Sequence, residues 1–234
     1  MSVTANLARV RSQIDAAARR CQRDPASISL MAVTKTFPAD AIREAYSAGQ
    51  RLFGENRVQE FAEKSAELND LADAQFHLIG HLQSNKSAKA AELFCAIDSV
   101  DSLRLLRRLD EAARGLNRSL DVLIEINIGG EEAKSGVAPD SPEFDSMLLA
   151  APELRGLRVR GLMTVPPFTE DPEDARPYFR RLRELRERVD ARHLPAIGMN
   201  ELSMGMSHDF EIAIEEGSTC VRVGSAIFGT REKL

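Results

Sequence analysis

Residues 29–53 read SLMAVTKTFPADAIREAYSAGQRLF. A short apolar run, SLMAVT, leads into Lys35; Pro38 then breaks the chain into a helical pattern over 39–48, and a second apolar run, RLF, follows at 51–53. This is one strand–helix–strand unit, and the same alternation continues along the chain. Further β-like runs are FHLI (76–79), LFCAI (93–97), VLIEINI (122–128), LRVRGLM (157–163), a weak ELSM (201–204) and CVRV (220–223). Helical patterns lie between them, among them 58–68 and 101–116, the latter with Leu103, Leu106, Leu109 and Ala113 on one face. Strict alternation predicts parallel strands joined by helical crossovers. Eight strand candidates in one short chain favour an α/β fold of the closed (β/α)8 TIM type over an open doubly wound sheet. Upstream, Leu7, Val10, Ile14, Ala17 and Cys21 form an apolar stripe on an extra N-terminal helix, which Asp24-Pro25 should end. With no linker, low-complexity tract or internal repeat, residues 1–234 read as a single domain.

Composition narrows the function classes. A net charge of -5 and a pI near 5.5 provide no global field for nucleic acid or an anionic membrane surface. The seven arginines between Arg176 and Arg192 are interleaved with Glu184, Glu187 and Asp190 and preceded by Glu170, Asp171, Glu173 and Asp174. They read as a solvated outer helix with acidic residues near its N-terminus. Cys21, Cys95 and Cys220 are dispersed and lack CxxC spacing, so neither a disulfide framework nor a zinc site is indicated. Dispersed thiols fit a reducing cytoplasm, the expected location. The N-terminal MSVTANLARV has no signal-like core, and apolar stretches such as 93–97 fall far short of the roughly 18 to 20 residues of a membrane span.

Polar, glycine-containing motifs follow almost every strand candidate: TKTFP, GEN, GHLQSNK, DSVDS, NIGGEEAKSG, MGMSHD and GSAIFG. In a barrel these loops converge on the C-terminal face, where active sites are built. Lys35, at the end of the first strand, could offer a carbonyl-attacking amine or simply reach out to solvent. Ser203 to Ser207 and Gly224-Ser225 combine small residues with hydroxyls after the last two strands, where barrels often hold phosphate; they could equally be ordinary turns. Arg222, in the final strand, is costly if it points inward without a partner, and it could instead face the helices. Asn56 could orient a ligand ring or cap the helix that begins near Arg57. His77 and His81 span a strand and a loop and do not share a helix face, so no metal pair is expected. No GxxxxGK[ST], GxGxxG or GxSxG element occurs.

Taken in order, Ala32-Val33-Thr34-Lys35-Thr36, Phe53-Gly54-Glu55-Asn56, Ile79-Gly80-His81-Leu82-Gln83-Ser84-Asn85-Lys86, Lys134-Ser135-Gly136, Arg160-Gly161-Leu162-Met163-Thr164, Ser203-Met204-Gly205-Met206-Ser207 and Val221-Arg222-Val223-Gly224-Ser225-Ala226-Ile227-Phe228-Gly229 closely resemble the pyridoxal phosphate homeostasis proteins. The resemblance runs from the first helix to the last strand. It implies an alanine-racemase-like barrel with an extra N-terminal helix, and pyridoxal 5'-phosphate held as a Schiff base on Lys35. It further implies that Ser207, Gly224 and Ser225 hold the phosphate and that Arg222 faces the pyridine nitrogen. An arginine cannot accept a hydrogen bond, so it favours an unprotonated ring nitrogen and a poorer electron sink. Asn56 and Ser203 complete the expected cofactor-binding set, with no separate role assigned to them or to Lys134.

Two positions depart from the family pattern: Phe37 stands where many relatives have a second lysine, and Arg57 where many have tyrosine. The implied function is to sequester the cofactor, buffer its level and deliver it to apoenzymes, as a monomer without catalytic residues of its own. The competing class is an amino-acid racemase on the same barrel. Racemases of that fold add a C-terminal β domain that supplies a tyrosine base, whereas this chain ends at Leu234 and its two tyrosines, Tyr46 and Tyr178, fall in helical patterns.

Overall fold

The computed structural model describes residues 2–131 and 135–229. Strands β1 (Ser29–Val33), β2 (Leu52–Glu55), β3 (Gln75–Leu78), β4 (Ala96–Val100), β5 (Leu120–Glu125), β6 (Leu157–Met163), β7 (Ile197–Met206) and β8 (Cys220–Val223) form a closed parallel barrel in sequence order. It closes by pairing Ser29 with Cys220 and Ala32 with Val223. Helices α1 (Val3–Arg20), α2 (Ala39–Ser47), α3 (Val58–Ser65), α4 (Ser87–Leu93), α5 (Leu103–Gly115), α6 (Pro142–Ala150), α7 (Arg176–Asp190), α8 (Phe210–Glu215) and α9 (Ser225–Phe228) accompany the strands.

Helix α1 is the extra element. Ser2 Oγ accepts the Ala5 N–H at 3.2 Å to start it, and Leu7, Val10, Ile14 and Ala17 bury its stripe against α2, α8 and α9. It stops before the expected Asp24-Pro25. Cys21 is its C-cap and Gln22 turns left-handed at φ 58°, so Asp24 caps a separate short turn over 25–27 instead.

The strands expected at 157–163 and 220–223 are found there, but LFCAI is displaced. Leu93 closes α4 and Phe94 packs on Phe61 with ring centroids 4.9 Å apart, while the strand runs through Ala96–Val100. The apolar signal there came from a helix end. The strand itself carries Asp98 and Ser99, both buried, which weakens its hydrophobic pattern. The weak ELSM run proves to be part of the longest strand, β7. Its partner β6 shifts register beside Gly161, where an added Cβ would lie 1.9 Å from the Glu201 carbonyl oxygen.

Helix α7 is only partly the solvated element expected. Phe179, Leu182, Leu185 and Val189 bury one face, and Arg176, Arg180 and Arg183 converge on the buried carboxylate of Glu216 at 3.2, 2.9 and 3.1 Å. Burial opposes ionisation of Glu216, but the guanidiniums outweigh it and hold its carboxyl below the ordinary range.

Candidate functional site

Side chains alternate along a strand, and this parity positions the site. Met31 approaches where a Gly54 side chain would lie, and Val33 and Lys35 both line a cavity of about 580 Å³ at the C-terminal mouth of the barrel. Lys35 thus continues the inward-facing series of β1, half-buried on the cavity wall.

The same cavity is lined by Asn56 after β2, by Ser207 after β7, by Arg222 on β8 and by Gly224 and Ser225 after it. Gly205, at φ 93°, turns the chain toward Ser207 in a place where a Cβ would meet Ala213 at 2.5 Å. Ser207 Oγ accepts N–H bonds from Gly224 at 3.2 Å and Ala226 at 3.4 Å. These bonds tie the two strand ends into one polar wall and leave the hydroxyl proton free to donate.

Arg222 is 3% exposed and points inward. Its Nη1 donates to Ser203 Oγ at 2.8 Å and its Nη2 to the Thr164 carbonyl at 2.7 Å. Burial pulls its pKa down, opposed by Cys220, Asp98, Glu125 and Asp209, yet a guanidinium stays a cation. Ser203 is fully buried and does not line the cavity; its place is behind Arg222, whose orientation it fixes. Asn56 does not cap α3: Arg57 holds the N-cap position without a side-chain hydrogen bond, and Asn56 lines the cavity. Its loop lies against the next, since a Cβ on Gly80 would fall 2.3 Å from the Asn56 carbonyl oxygen.

The two departures are also visible. Phe37 brings an aromatic ring to the cavity wall, packed on Phe228 at 5.0 Å between centroids, and Arg57 is exposed. Lys134 lies outside the described residues, although neighbouring Ser135 lines the cavity.

Sequence reasoning missed one residue of consequence. Glu125 ends β5 on the cavity wall, 7% exposed, with Oε2 unpartnered among the described residues. Burial, reinforced by Asp101 and opposed by Arg222, pushes its carboxyl up to about 7. The signal was a lone acid inside the apolar run VLIEINI. His81, weighed above only as a metal ligand, also lines the cavity and pairs through Nδ1 with Asp101 at 3.2 Å.

A family model described as alanine racemase, N-terminal domain, matches residues 5–232. The pyridoxal phosphate homeostasis protein of Aquifex aeolicus is 44% identical, over 99% of this chain and 100% of its own. That of Escherichia coli K12 is 45% identical, over 97% and 96%. The chain belongs to the pyridoxal phosphate homeostasis protein family. A solved structure, that of PipY of Synechococcus elongatus with pyridoxal phosphate bound, is 40% identical, the match covering 97% of this chain and 100% of that one, and superposes with a TM-score of 0.85. An alanine racemase of Clostridium difficile, 14% identical with a TM-score of 0.73, shares the fold; this chain spans 57% of its length.

The homeostasis-protein site fits such a cofactor on its own chemistry. An amine, an N–H and hydroxyl wall suited to an anion, and a buried cation converge on one cavity, with apolar surface from Val33, Phe37 and Ile79 between them.

Proposed function

We propose that this chain binds pyridoxal 5'-phosphate as a Schiff base on Lys35, keeps the reactive aldehyde sequestered and delivers the cofactor to apoenzymes. The observation that carries the reading is the convergence of Lys35, the Ser207, Gly224 and Ser225 wall and Arg222 on one cavity in a member of this family. When bound, the cofactor supplies an aldehyde and an electron-withdrawing ring. Lys35 would present its Nζ to that aldehyde, and the Ser207 and Ser225 hydroxyls would hold the phosphate. Arg222, held by Ser203 and Thr164, would offer the ring nitrogen a fixed cation and no proton acceptor.

The reading is of a carrier, not an enzyme, acting as a cytoplasmic monomer. Neither tyrosine lines the cavity, and the Tyr46 hydroxyl donates to Asp73 on the helical exterior. No helix among the described residues is long and apolar enough to cross a membrane. The test is an absorbance spectrum of the purified protein, borohydride reduction with mass-spectrometric mapping, and reactivation of a cofactor-free enzyme. A visible-edge band, a pyridoxyl label on Lys35 and transfer to the apoenzyme are expected. A label confined to other lysines would overturn the assignment.

A further inference from the structure

The loop that carries Lys35 rests on a buried ionic cluster outside the cavity. On β1 the inward series is Met31, Val33 and Lys35, so Thr34 faces the layer between the barrel and α3. There Thr34 Oγ1 donates to Glu55 Oε1 at 2.6 Å, and Lys64 Nζ lies 2.9 Å from the same oxygen. Glu55 is fully buried and Lys64 is 8% exposed. Lys64 also donates to the carbonyls of Thr34 and Phe37, each at 3.1 Å, the two that bracket Lys35. With Glu55, these acceptors use all three protons of the amine. Glu60, 3.4 Å from Lys64, accepts the Thr36 N–H at 2.5 Å. Thr36 is left-handed, at φ 67°. A β-branched residue seldom adopts that conformation, and it persists only where its surroundings over-determine it.

Stability alone does not account for this cluster. A buried ion pair is often no better than a well-packed apolar pair of similar volume. An apolar pair, however, could not bond the carbonyls on either side of Lys35. We propose that Lys64, Glu55 and Glu60 are positioning residues: they clamp the 34–37 loop from outside the barrel so that Lys35 is presented to the cavity. None of the three lines the cavity. The clamp's bearing on cofactor capture rests on the function proposed above, while its effect on the loop does not.

The experiment compares cofactor-free wild type, Lys64→Met and Glu60→Ala. Amide hydrogen exchange is read at Thr36 and Phe37, together with the rate at which pyridoxal phosphate becomes reducible onto Lys35 and the affinity for inorganic phosphate as a competitor. Exchange at Thr36 and Phe37 should accelerate in both variants. Adduct formation should slow by roughly 10- to 100-fold in Lys64→Met, the scale expected when a reacting group is misplaced by about 1 Å, and less in Glu60→Ala. Phosphate affinity should not change, because its wall lies on β7 and β8. Wild-type exchange and adduct rates in folded Lys64→Met would overturn the clamp. Should Lys64→Met fail to fold, Glu60→Ala, which removes only the partly exposed partner, decides by the same two readouts. Absence of any Lys35 adduct in wild type would count against the proposed function, and the exchange measurement would still decide the clamp.

Discussion

Glu125 is an acid inside an apolar run, and the folded chain buries it on the cavity wall. Its carboxyl, ordinarily near 4.5, titrates at about 7 in the folded protein, chiefly because it is buried. Between those values the folded state retains a proton that the unfolded state releases, so stability falls as pH rises through the window and levels off above it. At about 1.4 kcal/mol per unit the loss is about 3 kcal/mol. Glu125→Gln should remove most of that slope: its urea midpoint should exceed wild type at pH 8 and meet it near pH 4.5. Parallel pH profiles would refute this. After β7, Ser207→Ala should weaken pyridoxal phosphate far more than pyridoxal, since a charge-assisted hydrogen bond contributes about 1.5 to 3 kcal/mol. Equal losses for the two ligands would reduce Ser207 to a loop-shaping residue. Lys35→Ala should leave phosphate-dependent binding without a reducible adduct, because the wall on β7 and β8 remains. An undiminished adduct at another lysine, Lys134 included, would contradict that.

Among the elements, α7 shows how an arginine run becomes structure. Three of its guanidiniums meet the single buried carboxylate of Glu216, directly after α8, and so dock α7 against the end of α8. Glu216→Ala leaves three cations facing a buried gap. Breaking a fully buried pair costs about 3 to 5 kcal/mol, and the exposure of these arginines lowers the expected loss to about 2 to 3 kcal/mol. Urea unfolding should show that loss with an unchanged slope; a shift within experimental error would make the cluster ornamental. Elements also mark where hydrophobic runs mislead. CVRV and LRVRGLM were legible because the apolar run and the strand coincide from first residue to last. LFCAI was not, because Phe94 owes its burial to the helix layer while the strand beyond it turns Asp98 inward toward His77, 3.1 Å away.

For the whole molecule, the closed barrel gives one polar mouth and places β1 opposite β5, four strands away around the ring. On the carrier reading proposed above, no tyrosine base lines that mouth and Arg222 offers the ring nitrogen no proton acceptor. With saturating cofactor, a panel of amino acids should therefore show little α-proton exchange beside effective apoenzyme reactivation. Ordinary turnover, about 1 to 1000 per second, on any of them would replace the carrier reading by an enzymatic one.

By itself the sequence determined the alternation of strands and helices, the closed barrel that alternation favours, and the placement of Lys35, Asn56, Ser207, Arg222, Gly224 and Ser225 at strand ends that share one rim. Those features are local, since they depend on periodicity and on position relative to a strand terminus. Only the tertiary structure decided which face each side chain takes. Register shifts in β6, β7 and β8 break the period of two, so no count along the chain reveals that Ser203 sits behind Arg222 and outside the cavity. Nor could the chain show that Glu125 keeps an oxygen unpartnered among the described residues, or that Glu55 and Lys64 meet beneath the Lys35 loop. Burial and pairing of charge are set by elements that converge from distant parts of the sequence, and the resulting electrostatics exist only once the barrel has closed.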